Sequence, residues 1–375
     1  MSLFNVYPLF DITPVNANDV FVYDENDIGY LDLYGGHAVI SIGHSHPTYV
    51  KNISDQVSKL GFYSNSIQNP LQEQLATELV QQSNCKDYQL FLCNSGAEAN
   101  ENALKLASFH TGKKKVISFA NSFHGRTSAA VAATDNAKIV APINAQQEVA
   151  FFDLGDLKSV EETLQRGDVC AVIIECIQGV GGLGESTTDF YKGLESLCRK
   201  YQAVFIVDEV QSGFGRTGDF FAFQKHNITP DIISIAKGMG NGFPIGGILI
   251  HPTIKASYGL LGTTFGGNHL ACVASLTVLE VLKEEHLLEN ATAISEYFIE
   301  KAAAFPEIKK IKGRGLMLGM EFDFPIAPLR KELIFKHHIF TGSAKNPNLL
   351  RILPPLTIKK QHVDQFFEAL KKELS

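Results

Sequence analysis

Between about residues 88 and 250 the chain alternates short apolar runs with stretches of helical periodicity, and this restricts the possible folds more than any other feature. Leu90–Cys93, Val116–Phe119, Val169–Cys176, Ala203–Asp208, Ile232–Ala236 and Gly247–Ile250 are short, rich in β-branched residues and almost free of polar alternation. Strands covered on both faces read this way. Ala97–His110 and Phe190–Tyr201 lie between them and repeat apolar residues at helical spacing. Strand, helix and strand in that order predict an α/β fold on a mostly parallel sheet.

Beyond residue 268 the pattern changes. Ala271–Glu284 and Leu288–Phe305 read as long helices, Leu316–Phe322 and Leu350–Leu353 as strands. The last helix sets Val363, Phe367, Leu370 and Leu374 on one face. The 375 residues exceed what one core serves, at roughly 100–200 residues per domain. We therefore divide the chain into a large domain over 51–267 and a small α+β domain over 268–375. Residues 1–50, with a strand at Tyr30–Leu33, form an N-terminal segment expected to pack with the small domain or a neighbouring subunit.

A net charge of −7 argues against a broad cationic face for nucleic acid. No apolar run reaches the roughly 18 residues a membrane span needs, and Met1–Pro14 lacks the layout of a signal peptide. The six cysteines are scattered, without a CxxC pair. They predict reduced thiols in a cytoplasmic protein and no structural metal.

Three strand ends carry chemistry, where a doubly wound sheet places its ligands. After Leu90–Cys93 comes Asn94-Ser95-Gly96-Ala97-Glu98, a Ser-Gly turn opening a helix. Free N–H groups and the helix dipole there suit a phosphate. Ser95 and Glu98 also have the spacing of a capping box. Asp208 and Glu209 end another apolar run, where an unpaired charge is costly. Asp208 therefore needs a partner: an arginine, a helix N-terminus or a protonated pyridine nitrogen. Lys237 ends a third run, before Gly238 and Gly240. It either snorkels to the surface or, desolvated, becomes an amine able to form a Schiff base. An anion cup, an acid for a ring nitrogen and an amine for an aldehyde share one explanation, pyridoxal 5'-phosphate.

Over nearly its whole length the chain resembles the class III aminotransferases of fold type I, and within them the acetylornithine/succinylornithine/ornithine aminotransferase group. The resemblance rests on Gly43-His44-Ser45-His46-Pro47, Asn94 to Glu101, Ser122-Phe123-His124-Gly125-Arg126-Thr127, Glu175 to Gly179, Asp208 to Gly218, Pro230 to Gly247, and Thr263-Thr264-Phe265-Gly266-Gly267-Asn268. It implies that Lys237 carries the cofactor and moves the proton, and that Asp208 pairs with the pyridine nitrogen. The implied cofactor-binding set also holds Ser95, Gly96, Ala97, Phe123, His124, Glu175, Val210 and Gln211. Phe123 would stack on the ring and Gln211 would sit near its hydroxyl. Thr264 would reach the phosphate bound by a neighbouring subunit and Thr263 that neighbour's substrate, which implies a homodimer. Arg126 would take a substrate carboxylate through its guanidinium fork, and Arg351 would engage 2-oxoglutarate or glutamate.

One departure stands out. The family pattern Glu-Pro-x-Gln-Gly-Glu reads here as Glu175-Cys176-Ile177-Gln178-Gly179-Val180. In the ornithine enzymes the last glutamate pairs with the arginine matching Arg351. With Val180 there, Arg351 is expected to be open or masked by another acid, which favours an N2-acylornithine, succinylated over acetylated, above ornithine. The implied reaction is a ping-pong transfer of the δ-amine to 2-oxoglutarate, in arginine synthesis. Competing readings are an ornithine or other ω-amino-acid aminotransferase, a semialdehyde aminomutase, and a catalytically silent member. Gly179-Val180-Gly181-Gly182-Leu183-Gly184 also fits the dinucleotide fingerprint of an NAD-dependent oxidoreductase, although Glu185–Asp189 delays the helix. His44-Ser45-His46 and His337-His338 lack companions at metal-ligand spacing, and no Gly-x-Ser-x-Gly supports a serine hydrolase.

Overall fold

Residues 3–374 are described by the computed structural model, in which seven strands line up as one sheet. Their spatial order is Gln89–Cys93, Gly246–Ile250, Ile232–Ile235, Val204–Asp208, Val169–Ile174, Lys115–Phe119 and Val149–Phe152. All run parallel except Gly246–Ile250, which is antiparallel to both its neighbours. The α/β expectation holds. The strand at Val149–Phe152 and the reversed direction of Gly246–Ile250 were not expected.

Side-chain alternation explains why both faces are covered. Val204 and Ile206 pack in one core with Ala103 and Leu104 of the helix Gly96–Thr111. Phe205 and Val207 point the other way, into the core holding Tyr191 and Leu194 of the helix Thr188–Tyr201. Both central strands are buried at every position, which is why their sequences lack polar alternation. The register sets Asp208 beside Ser234, three residues before Lys237.

Two smaller sheets flank this core. Lys310–Arg314, Met317–Glu321, Leu349–Ile352 and Gly342–Ser343 form one antiparallel sheet. In the other, Gly29–Asp32 pairs in parallel with Ile339–Phe340, joining the N-terminal segment to the C-terminal third. The glycine run from Gly179 to Gly184 forms turns, and the next helix starts only at Thr188 behind its own cap, Thr187. No helix N-terminus therefore meets the third glycine, and the dinucleotide reading is rejected. His44 pairs with Asp32 at 2.8 Å and His46 with Glu285 at 2.8 Å. No metal-holding group of histidine, cysteine or carboxylate side chains exists among the described residues.

Arg216 ties three distant segments together. Its buried guanidinium donates to the carbonyls of Ile40 (3.1 Å), Leu316 (3.2 Å) and Pro354. Burial pushes its pKa down to about 9, and the carboxylate of Asp32 opposes that fall. Removing the head would leave buried carbonyls without donors. Arg216→Ala is expected to destabilise the protein by about 3 kcal/mol, with Arg216→Lys recovering only part. Urea unfolding measures this, and a wild-type midpoint in both variants would contradict it.

Candidate active site

The parallel strand ends open into a cavity of about 400 Å³ whose walls include Gly96, Phe123, Asp208 and Lys237. At one end the helix Gly96–Thr111 begins. Ser95 caps it, its hydroxyl accepting from the Glu98 N–H at 3.2 Å, so the capping reading is right. Glu98 turns back to the Asn94 N–H at 2.6 Å instead of completing the box at Ser95. The N–H groups of Gly96 and Ala97 belong to the first turn, which has no intrahelical acceptors to offer them. The cap and N–H groups free to receive an anion therefore coexist. Space at the cup is tight: a Cβ on Gly96 would lie 2.5 Å from Val210 Cγ1.

Asp208 is buried and well supplied with donors. Its Oδ2 accepts from His124 Nδ1 at 2.7 Å and Asn100 Nδ2 at 2.7 Å, and Oδ1 accepts from the Val210 N–H at 2.9 Å. The adjacent Glu209 turns away from the cavity. It takes the Ser212 hydroxyl at 2.7 Å and the N–H groups of Ala222 and Phe223 at 3.0 and 2.9 Å. Burial pushes Glu209 up to about 7 despite those donors. Glu175 accepts from the N–H groups of Phe123 (2.9 Å) and Gly179 (2.8 Å), and so fastens two loops of the cavity wall. Burial raises the Glu175 pKa, opposed by the nearby His124.

Lys237 follows its strand in a left-handed backbone conformation, φ 48°, sparsely populated for a side chain of this size. Its head makes no hydrogen bond or ion pair among the described residues. It lines the cavity and does not snorkel outward.

Arg126 stands at the exposed mouth. Its loop is anchored from behind by Glu101, which accepts from Thr127 Oγ1 at 2.7 Å and the Ala129 N–H at 2.8 Å. Val210 and Gln211 also line the cavity. Arg351 departs from expectation. It is buried, and donates to the carbonyls of Ser343 (2.6 Å) and Gly179 (2.9 Å) and to Gln211 Oε1 at 3.3 Å. It is neither open nor masked by an acid. Carbonyls of its own strand neighbour and of the turn before Val180 serve it instead.

Arg351 borders a second cavity of about 510 Å³, which shares Phe123 and Val180 with the first. Tyr34, His37, Asp135, Lys138 and Lys345 also face it. Within one chain Thr263 and Thr264 are not brought to either cavity. Thr263 lines a separate cavity of about 300 Å³, and Thr264 is exposed. Sequence reasoning missed Asn100, Tyr34 and His37. Asn100 had a signal: it stands four residues after Gly96, on the helix face the cup presents.

An anion cup, a buried acid and a cavity-facing lysine at neighbouring strand ends fit a phosphorylated pyridine aldehyde in size and chemistry. The class III aminotransferase family profile matches residues 5–374. The chain belongs to that family, and it is a pyridoxal 5'-phosphate-dependent aminotransferase.

Within it, the chain is 38% identical over 380 residues to the acetylornithine aminotransferase of Bacillus subtilis, covering 100% of this chain and 98% of that one. It is 38% identical over 385 residues to that of Aquifex aeolicus, with 99% of each chain covered. A Toxoplasma gondii ornithine aminotransferase, solved with partial pyridoxal phosphate at its active site, superposes with a TM-score of 0.89 at 27% identity. The match covers 97% of this chain and 90% of that one.

The Lys237 amine has a pKa below the lysine value of 10.5: burial lowers it, Asp208 and Glu175 pull it back up, and Arg351 pushes it down. Between that depressed pKa and 10.5 the unfolded chain binds more protons at this site than the native one. The cost is full at lower pH and fades as pH rises through the window. In the cofactor-free protein, Lys237→Met is expected to be stabilising at pH 7, with the gain shrinking toward pH 10.5. Urea unfolding at several pH values measures it. A gain that grows with pH would contradict the assignment.

Proposed function

We propose that the protein moves the δ-amine of an N2-acylornithine to 2-oxoglutarate, yielding an acylglutamate semialdehyde and glutamate, as a step of arginine synthesis in the cytoplasm. Bound pyridoxal phosphate supplies an electron sink for negative charge on the carbon next to the transferred nitrogen. The chain's residues do the rest. Gly96 and Ala97 would hold the phosphate through their N–H groups and Ser95 through its hydroxyl. Phe123 would lie against a ring face, and Gln211 would serve the ring hydroxyl. Asp208, held by His124 and Val210, keeps the pyridine nitrogen protonated, and Glu175 fixes the Phe123 loop. Lys237 holds the aldehyde end. Freed by a substrate amine, its neutral head takes a proton from the substrate's Cδ and, in the second half-reaction, returns one to C2 of 2-oxoglutarate.

Arg126 receives the α-carboxylate of the donor, its guanidinium being unpaired among the described residues and so free for a bidentate grip. Arg351 serves 2-oxoglutarate, with its carbonyl partners exchanged for the dicarboxylate. A second copy of this chain completes the site with Thr264 at the phosphate and Thr263 beside the substrate. Phe62, Tyr63, Tyr258 and Phe265 are exposed on the chain, and Phe62 and Phe265 lie with ring centres 5.3 Å apart. An exposed aromatic pair of this kind suits burial between copies.

The observation that carries the acylated donor is the charge around the second cavity. Lys138, Lys345 and Arg351 face it, and the carboxylate of Asp135 is paired with Lys345 at 3.1 Å. Val180 stands where the ornithine enzymes have an acid. A free α-ammonium meets a cationic wall there, whereas an acylated nitrogen is neutral, and a succinyl arm gains more from the wall than an acetyl arm. With 2-oxoglutarate as acceptor, kcat/KM is expected to be at least about tenfold higher for acetylornithine and succinylornithine than for ornithine, succinyl leading. Val180→Glu is expected to narrow that gap. Ornithine as the preferred donor of the wild type would overturn the reading.

A further inference from the structure

We infer that Asn100 is a positioning residue for Asp208, deciding which carboxylate oxygen is offered to the ring nitrogen; this rests on the reading that Asp208 serves that nitrogen. A carboxylate oxygen has about two acceptor sites. Oδ2 fills both, with Asn100 Nδ2 and His124 Nδ1, each at 2.7 Å. Oδ1 accepts only the Val210 N–H among the described residues, at 2.9 Å, so the acceptor left open for a ring N–H is on Oδ1.

Asn100 does this from a constrained position. It is 1% exposed, and its amide also donates to the His124 carbonyl at 2.8 Å. One side chain thus ties the carboxylate to the segment carrying its other donor. Both targets are acceptors, so the amide cannot turn over without facing oxygen with oxygen. The consequence is a buried Asn100 Oδ1 without a partner. An orphaned buried oxygen is uncommon and unfavourable. Its presence beside Asp208 marks a group kept for what its nitrogen donates. An apolar residue would fill the same volume without that cost.

The test compares two aldehydes on the full-length chain stripped of cofactor: pyridoxal 5'-phosphate and its carbocyclic analogue, in which C–H replaces the ring nitrogen. Calorimetric titration gives both affinities. Wild type should prefer the pyridine. Asp208→Ala should erase that preference, and if wild type has none, it is the Asp208 reading that fails. Asn100→Ala should weaken pyridoxal phosphate binding about 10- to 100-fold, as loss of a charge-assisted hydrogen bond does. It should leave the analogue within about threefold. A packing role would weaken both aldehydes alike. If Asn100→Ala keeps the wild-type preference, or loses both affinities equally, while Asp208→Ala has lost the preference, the inference is overturned. Should the alanine variant fail to fold, Asn100→Leu, which keeps the side-chain volume and removes the donor, is read by the same ratio: a lost preference supports the role and a retained one refutes it.

Discussion

A carboxylate at the end of a strand buried on both faces is the constraint around which this molecule is organised. Asp208 ends a strand with no exposed position, and a bare charge there would be prohibitively costly. The fold answers with donors from three directions: the helix Gly96–Thr111, the loop after Lys115–Phe119, and the backbone that follows Asp208 itself. Those same segments carry the Ser95–Ala97 turn, the Phe123–Arg126 loop and Val210. Satisfying one buried acid therefore places most of the cavity wall.

Sheet topology does the remaining positioning. Strands carrying Asp208 and Lys237 are neighbours, with Asp208 in register with Ser234. Glu175 follows the strand on the other side and holds the Phe123 loop to the Gly179 turn. Glu209, one residue beyond the acid, is fully occupied in closing the loop to Phe223 and takes no part in the cavity. The adjacent pair Asp208–Glu209 thus divides its labour by strand alternation: one side chain faces the site and the next faces the core.

Much of this was legible in the sequence, for reasons that differ by feature. Buried parallel strands announce themselves by uniform apolar runs, so six of the seven stood out. Val149–Phe152 did not, since it is an edge strand of four partly exposed residues paired on one side only. Apolarity carries no direction, and the antiparallel course of Gly246–Ile250 was invisible for that reason. Lys237, Asp208 and Gly96 could be found because they break apolar runs at strand ends. Arg351 was misread because its partners are carbonyls of Ser343 and Gly179, and a backbone oxygen leaves no trace in residue identity. Asn100 is hard to single out from residue identity, since its partner lies 108 residues away.

The account stands on Lys237 as the residue that holds the cofactor aldehyde, and borohydride reduction of the cofactor-loaded protein followed by peptide mass mapping examines this most directly. The predicted result is a phosphopyridoxyl group on the Lys237 peptide and on no other lysine. A label on a different lysine, with the Lys237 peptide unmodified, would contradict it.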